Sequence, residues 1–109
     1  MKRELPEEFK PAFEFYGGSM GGGKTNSLIH RLCRADKANL QIQAFKKSED
    51  VRHSYDYIKS NNGKLDYPAI PVSSTQEMVS KLNPETNIIG IDEVQFWDEE
   101  IINFVEKYR

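Results

Sequence analysis

Apolar and polar residues recur along this chain with two different periods, which predict strands and helices in alternation. Strands are expected where apolar residues alternate with polar ones, or form short apolar runs. Such runs cover residues 12–16, 40–44, 69–72 and 88–91. Helices are expected after residue 24, over residues 74–83 and over residues 99–108, where apolar positions recur every three or four residues. The alternation predicts an α/β fold of three layers, with a mainly parallel sheet of about four strands.

Local signals fix several boundaries of the predicted helices. Ser74 followed by Glu77 forms a capping box, and Pro84 ends the helix that begins there. Asp98 is expected to cap the last helix. The apolar positions of the last helix are Ile101, Ile102, Val105 and Tyr108. Those of the first helix are Leu28, Ile29, Leu32 and Cys33. These stripes are predicted to face the core, with Cys33 inside it and Trp97 as a packing anchor.

Two segments carry no strong periodic signal. Residues 1–11, with Pro6 and Pro11, are expected to form a solvated arm ahead of a domain that covers residues 12–109. Residues 47–67 are polar and contain the turn signal Asn61-Asn62-Gly63. They predict a surface connection, and its length favours a functional role.

A glycine-rich stretch joins the first predicted strand to the first predicted helix. Its sequence is Gly18-Ser19-Met20-Gly21-Gly22-Gly23-Lys24-Thr25. It fits the P-loop pattern G-x-x-x-x-G-K-[ST], in which successive backbone N–H groups surround phosphate oxygens. Lys24 is expected to reach the β- and γ-phosphates, and Thr25 to place its hydroxyl on Mg²⁺. The strand, loop and helix in this order predict a P-loop NTPase core that binds ATP.

The last predicted strand ends in two acidic residues. An apolar run over residues 88–91 leads into Asp92 and Glu93. This is the Walker B pattern, in which the carboxylate at the strand end lies beside the P-loop and holds Mg²⁺. Asp92 is predicted to take that role. Glu93 points to the other side of the strand end, where it can accept a proton from an attacking hydroxyl.

Length, charge and cysteine content limit the kinds of protein that this chain can be. The chain has 109 residues, a formal net charge of −2 and one cysteine. Its length fits one domain, and its scattered basic residues predict no nucleic-acid surface. One cysteine makes neither an internal disulfide nor a zinc cluster. The sequence lacks an apolar leader or membrane-spanning run, so a cytoplasmic protein without membrane partners is expected.

Several motifs resemble those of the type II thymidine kinases. Residues 89–96 are similar to that family's I-G-I-D-E-x-Q-F signature, and the P-loop to its G-x-M-F-S-G-K-[ST]. Residues 50–54, 61–63 and 69–72 resemble its D-x-R segment and the stretch that follows. Order and spacing match across residues 12–104.

The resemblance implies transfer of the ATP γ-phosphate to the 5′-hydroxyl of thymidine or deoxyuridine. It assigns the role of base to Glu93 and places Gln95 in the nucleotide site. Phe96, Asp50 and Arg52 correspond to positions of the nucleoside site.

Two departures from the family pattern stand out. Gly21 and Gly22 occupy positions where the family usually has Phe and Ser, which loosens the loop. The sequence stops at Arg109, before the further strand, the four-cysteine zinc site and the lasso loop of the family. A truncated or split kinase is therefore expected, without zinc in this chain, that works as a homo-oligomer or with a completing partner chain.

Two alternatives remain open. Helicase-type ATPases also contain D-E-x-Q, but they need a second lobe and a basic track. A nucleotide-binding module without kinase turnover is the other alternative, because the acceptor half of the family pattern is missing. Titration with thymidine separates a nucleoside kinase from both.

Overall fold

A computed structural model of the chain describes residues 5, 8–16, 24–48, 56–59, 66–92 and 97–108. Its strands and helices alternate as the sequence pattern predicts. The strands are β1 Ala12–Tyr16, β2 Ile42–Lys47, β3 Asp56–Lys59, β4 Asp66–Val72 and β5 Ile88–Asp92. The helices are α1 Lys24–Lys37, α2 Thr75–Ser80 and α3 Glu100–Tyr108. None of these helices has the length and apolar character needed to cross a membrane.

Among the described residues the strands form one sheet in the order β1-β5-β2-β4-β3. The first four of these strands are parallel, which confirms the predicted sheet of about four parallel strands. β5 is one of the two interior strands of the parallel part, since it pairs with β1 on one side and β2 on the other. The chain order requires crossovers, and α1 supplies the first of them between β1 and β2.

Helices cover both faces of the sheet, so the predicted three layers are confirmed. One cluster lies under α1 and contains Leu28, Ile29, Leu32, Ala44, Ile58 and Ala69. The other lies under α2 and α3 and contains Phe9, Phe45, Val72, Met78, Leu82, Ile89, Ile91, Trp97, Ile101, Phe104 and Val105. Trp97 is therefore a packing anchor, as predicted.

β5 supplies side chains to both clusters because successive residues of a strand face opposite sides. Ile89 and Ile91 belong to the cluster under α2 and α3. Ile88 packs against the cluster under α1, and Gly90 faces Leu32 of that helix. The same alternation places the side chain of Asp92 on the α1 face of the sheet.

The ends of α2 follow the sequence signals. The hydroxyl of Ser74 accepts a hydrogen bond from the backbone N–H of Glu77 at 3.1 Å. The Glu77 carboxylate returns to the backbone N–H of Ser73 at 2.9 Å, one residue before the cap. The predicted capping box is thus present, with its second hydrogen bond moved by one residue. The helix ends at Ser80, earlier than predicted, and Lys81 is its C-cap.

Three expectations about the rest of the fold are wrong. Residues 56–59 form β3, which pairs antiparallel with β4 inside the segment expected to be a surface connection. Phe9 is 4% exposed and packs edge-on against the ring of Tyr108, so the arm is not solvated at this residue. Cys33 is exposed on α1 rather than in the core.

The amphipathic face of α3 is slightly rotated from the predicted one. Ile101, Phe104 and Val105 are buried, whereas Ile102 is 63% exposed. Buried positions at i, i+3 and i+4 form the stripe that one helix face can present to a sheet.

The first prediction concerns the contact between α1 and β5. A Cβ added at Gly90 would lie 3.0 Å from both δ carbons of Leu32, which is closer than ordinary van der Waals contact. Leu32 is fully buried and has little room to move. We expect Gly90→Ala to lower the free energy of unfolding by about 1–3 kcal/mol in urea denaturation.

Leu32→Val provides the matched background, because valine has no δ carbons. The cost of Gly90→Ala should be smaller in Leu32→Val than in the wild type, by about 1 kcal/mol in a double-mutant cycle. Equal costs in the two backgrounds would show that the close approach of these two residues is not what the glycine permits.

Candidate functional site

The predicted P-loop connects two elements that the structure describes. β1 ends at Tyr16 and α1 begins at Lys24, which confirms a strand before the loop and a helix after it. Residues 18–23 lie outside the described residues. Lys24 and Thr25 form the start of α1 in the backbone, and nothing is described of their side chains.

Sheet register places the start of this loop beside the predicted Walker B aspartate. Tyr16, the last residue of β1, is the direct neighbour of Asp92, the last residue of β5. The two strands are parallel, so their carboxyl ends meet at the same edge of the sheet. The chain that leaves Tyr16 toward residues 18–25 therefore starts next to Asp92.

The position of α1 along the sheet agrees with this arrangement. Leu32 contacts the position of Gly90, and α1 runs back from the carboxyl edge to the amino edge as a crossover helix must. Lys24 lies eight residues before Leu32, which is about 12 Å along a helix. Asp92 lies two residues beyond Gly90, which is about 7 Å along a strand. Both lengths run toward the carboxyl edge of the sheet, so the start of α1 and the end of β5 lie at the same edge.

The last predicted chemical residues fall outside the described part of the chain. These are Glu93, Gln95 and Phe96 after β5, and Asp50 and Arg52 after β2. The described neighbours of the first group are Asp92, which is half-buried, and Trp97, which is 8% exposed. The indole Nε1–H of Trp97 donates a hydrogen bond to the backbone carbonyl of Asp92 at 3.0 Å. This hydrogen bond joins the two described residues that flank positions 93–96.

Asp98 links this segment to the start of α2. Its carboxylate accepts the backbone N–H of Thr75 at 2.9 Å and the hydroxyl of Thr75 at 2.6 Å. It also accepts the backbone N–H of Glu100 at the start of α3. Thr75 is 3% exposed, so its side chain is held inside the protein. Asp98 is the expected cap of α3, and the structure adds that it also accepts the first backbone N–H of α2, whose N-cap residue is Ser74.

Burial of Asp98 raises the pKa of its carboxyl group. The hydrogen bonds from Thr75, followed by that from Glu100 and the charge of Lys47, lower it by more. The net pKa lies below the ordinary value, because these donors favour the ionised form.

Two tertiary contacts near the carboxyl edge of the sheet could not be predicted from the sequence. The Thr75–Asp98 pair spans 23 positions, and no local pattern connects the two residues. Lys46 extends from β2 and donates from Nζ to the backbone carbonyl of Tyr57 at 3.1 Å. This contact depends on β3, which the pattern did not predict. Only the polar character of residues at strand and helix ends pointed toward either contact.

The lowered pKa of Asp98 predicts a pH-dependent contribution to stability. A carboxyl whose pKa is lower in the folded than in the unfolded state stabilises the fold above about pH 4, and this contribution is lost as the pH falls through the folded value. We expect Asp98→Asn to be less stable than the wild type at pH 7. The difference should be smaller at pH 3, where the carboxyl of the unfolded chain is largely protonated and the fold begins to lose this contribution as the pH approaches the lowered folded pKa. Urea denaturation at both pH values measures it, and an unchanged difference would contradict the assignment.

Comparison with known proteins gives two findings. A sequence model of the family described as thymidine kinase matches residues 12–109. The thymidine kinase of Mesoplasma florum is 38% identical over 99 residues, which cover 86% of this chain and 48% of that protein. The chain thus spans about half the length of this curated relative. The match includes the P-loop, β5 and the segment after it, and it agrees with the arrangement of β1, α1 and Asp92 described above. The chain belongs to the thymidine kinase family.

Proposed function

We propose that this chain forms the ATP-binding core of a thymidine kinase, in a domain that covers residues 12–109. The proposed reaction transfers the γ-phosphoryl group of ATP to the 5′-hydroxyl of thymidine or deoxyuridine. The observation that carries the proposal is the pairing of Tyr16 with Asp92, because it brings the end of β1, from which the chain continues into the predicted P-loop, to the end of β5. Family membership supports the choice of reaction.

In this proposal the triphosphate binds at the start of α1. Backbone N–H groups of residues 18–23 surround its oxygens, and the positive end of the α1 dipole favours the negative charge. Lys24 neutralises the β- and γ-phosphates. Gln95 contributes to the same nucleotide site, as the family resemblance implies.

Asp92 and Thr25 are the residues that would hold Mg²⁺. The ion prefers hard oxygen ligands in an octahedral arrangement, with waters and phosphate oxygens completing the shell. Asp92 fits, since its carboxylate lies on the α1 face at the strand end. Mg²⁺ supplies charge neutralisation on the β- and γ-phosphates when it is bound.

The chemical step requires a base beside the acceptor hydroxyl. The nucleoside 5′-oxygen forms a bond to the γ-phosphorus while the bond from that phosphorus to the β,γ-bridging oxygen breaks. Glu93 takes the proton of the hydroxyl, and ADP leaves with the bridging oxygen. Phe96 is proposed to lie near the nucleoside base, and Asp50 and Arg52 to help bind the nucleoside.

A nucleotide-binding module without kinase turnover is the alternative. The chain spans 48% of its relative, so the acceptor site could depend on further chain or on a partner, either a second copy or a completing polypeptide. Incubation with Mg²⁺-ATP and labelled thymidine separates the two functions. The kinase forms thymidine monophosphate and ADP, whereas the module binds ATP without forming either. The assay is run on the 109-residue chain and on the complete gene product.

The next prediction tests the phosphate site. Lys24→Ala should weaken Mg²⁺-ATP binding by about tenfold or more in calorimetry, because a charge-assisted contact to the phosphates is lost. Lys37→Ala is the matched control, since Lys37 is an exposed lysine in the last turn of the same helix. Equal affinities of the two variants for Mg²⁺-ATP would contradict the proposal that ATP binds at the P-loop.

A further prediction tests the base. Glu93→Gln should lower kcat by about 10²–10⁴-fold and leave the affinity for Mg²⁺-ATP within about twofold, because the amide cannot accept the proton. Glu85→Gln is the control, since Glu85 is exposed at the amino end of β5, away from the proposed site. Loss of ATP binding in a folded Glu93→Gln protein would assign Glu93 to the metal or the nucleotide instead.

A further inference from the structure

Two anchors, made by three hydrogen bonds, hold the described residues on either side of positions 93–96. The first joins the indole Nε1–H of Trp97 to the carbonyl oxygen of Asp92 at 3.0 Å. Trp97 is 8% exposed and packs in the cluster under α2 and α3, so its ring has a fixed position. The carbonyl it holds belongs to the peptide group between Asp92 and Glu93. Orientation of that planar group sets where the backbone of Glu93 begins.

The second anchor is the pair of hydrogen bonds from Thr75 to Asp98. The Asp98 carboxylate accepts the Thr75 N–H at 2.9 Å and the Thr75 hydroxyl at 2.6 Å, and both residues are partly or fully buried. A carboxylate held by two donors at once has little rotational freedom. Asp98 follows Trp97 directly in sequence. Its attachment to α2 therefore keeps Trp97 in register with the end of β5.

These contacts act on the proposed metal ligand as well as on the fold. Asp92 faces α1, whereas Trp97 holds its carbonyl from the cluster on the opposite face. One side of the strand end thus serves the proposed phosphate site, and the other side is fixed by packing. Misplacement of a reacting group by about 1 Å can cost about a hundredfold in rate.

We propose that Trp97 and Asp98 are positioning residues that hold the Asp92–Glu93 peptide group for phosphoryl transfer. This inference rests on the proposed function, which places Asp92 at Mg²⁺ and Glu93 at the acceptor hydroxyl. Neither Trp97 nor Asp98 contacts the nucleotide or the nucleoside in this scheme; both act through the end of β5.

Trp97→Phe is the sharpest variant, because it keeps a buried aromatic ring and removes the N–H donor. In the complete gene product we expect kcat to fall by about 10–100-fold and the Mg²⁺ concentration for half-maximal rate to rise at least about threefold. KM for thymidine should stay within about twofold. Tyr108→Phe is the matched control, since it removes one polar group from an aromatic residue packed at the edge of the same cluster. A Trp97→Phe enzyme with the kinetics of Tyr108→Phe would overturn the proposal.

Asp98 is tested by a pair of substitutions. Asp98→Ala removes the acceptors, whereas Asp98→Asn can accept the Thr75 N–H through its Oδ1 and donate from Nδ2 to the Thr75 hydroxyl. We expect Asp98→Ala to lower kcat by about tenfold or more, and Asp98→Asn to restore it to within about threefold of the wild type. If Asp98→Ala loses stability but keeps the kcat of the wild type, the contact is purely structural and the proposal is overturned.

Amide hydrogen exchange of the substrate-free protein tests the inference without catalysis. Asp92 is the last residue of β5, which pairs with β1 and β2, and Trp97 holds its carbonyl, so the exchange rate of the Asp92 N–H reports on the order of this strand end. We expect it to rise by about fivefold or more in Trp97→Phe and Asp98→Ala, after correction with the amides of Ile29 and Leu32 in the core. It should stay unchanged in Tyr108→Phe.

The two measurements separate this inference from the proposed function. If the wild-type gene product phosphorylates no nucleoside, the proposed function fails and exchange alone decides whether Trp97 and Asp98 hold the peptide group. An unchanged exchange rate of the Asp92 amide in both variants would overturn the inference whatever the kinase assay gives.

Discussion

The close approach of α1 to β5 is the constraint on which the site depends. Gly90 has no side chain, so both δ carbons of Leu32 can lie only 3.0 Å from the position that a Cβ would occupy. Its neighbour on β2 is Ala44, another small residue that faces α1. Together these two small residues leave a depression on the surface of the sheet, and α1 packs into it. Because α1 begins at Lys24 and β5 ends at Asp92, this packing also fixes how the start of the helix lies relative to the end of the strand.

The two faces of β5 contact different helices. Residues 88, 90 and 92 face α1, and Ile89 and Ile91 face α2 and α3. Ile89 and Ile91 bury the second face against Trp97 and α3, whereas the first face carries Ile88 at the start of the strand, Gly90 in its middle and Asp92 at its end. Asp92 can therefore stand at the end of β5 without weakening the core, because the fully buried side chains of the strand lie on the other face.

The sequence predicted the features that depend on local pattern. Alternation and apolar runs identified the four parallel strands, and Ser74 with Glu77 identified the start of α2. It missed β3, whose four residues Asp56–Lys59 show little hydrophobic pattern and pair with β4 through tertiary context. It also misplaced Phe9, which is buried because α3 offers Tyr108 and Phe104 as partners. Proximity to prolines and charges gave no sign of those partners.

Motif residues and their supports differ in how far the sequence reveals them. Asp92 stands at the end of an apolar run, and that position alone predicts both its place in the fold and its chemistry. Thr75 and Asp98 carry no motif, and they meet only because α2 and α3 pack on one face of the sheet. Their hydrogen bonds nevertheless reach the same strand end through Trp97. A residue that binds a metal ion needs one correctly placed side chain. Holding that residue rigidly requires contacts from elements that are distant in sequence. The second requirement is a property of the tertiary structure, which is why it emerges only when the sheet and its helices are assembled.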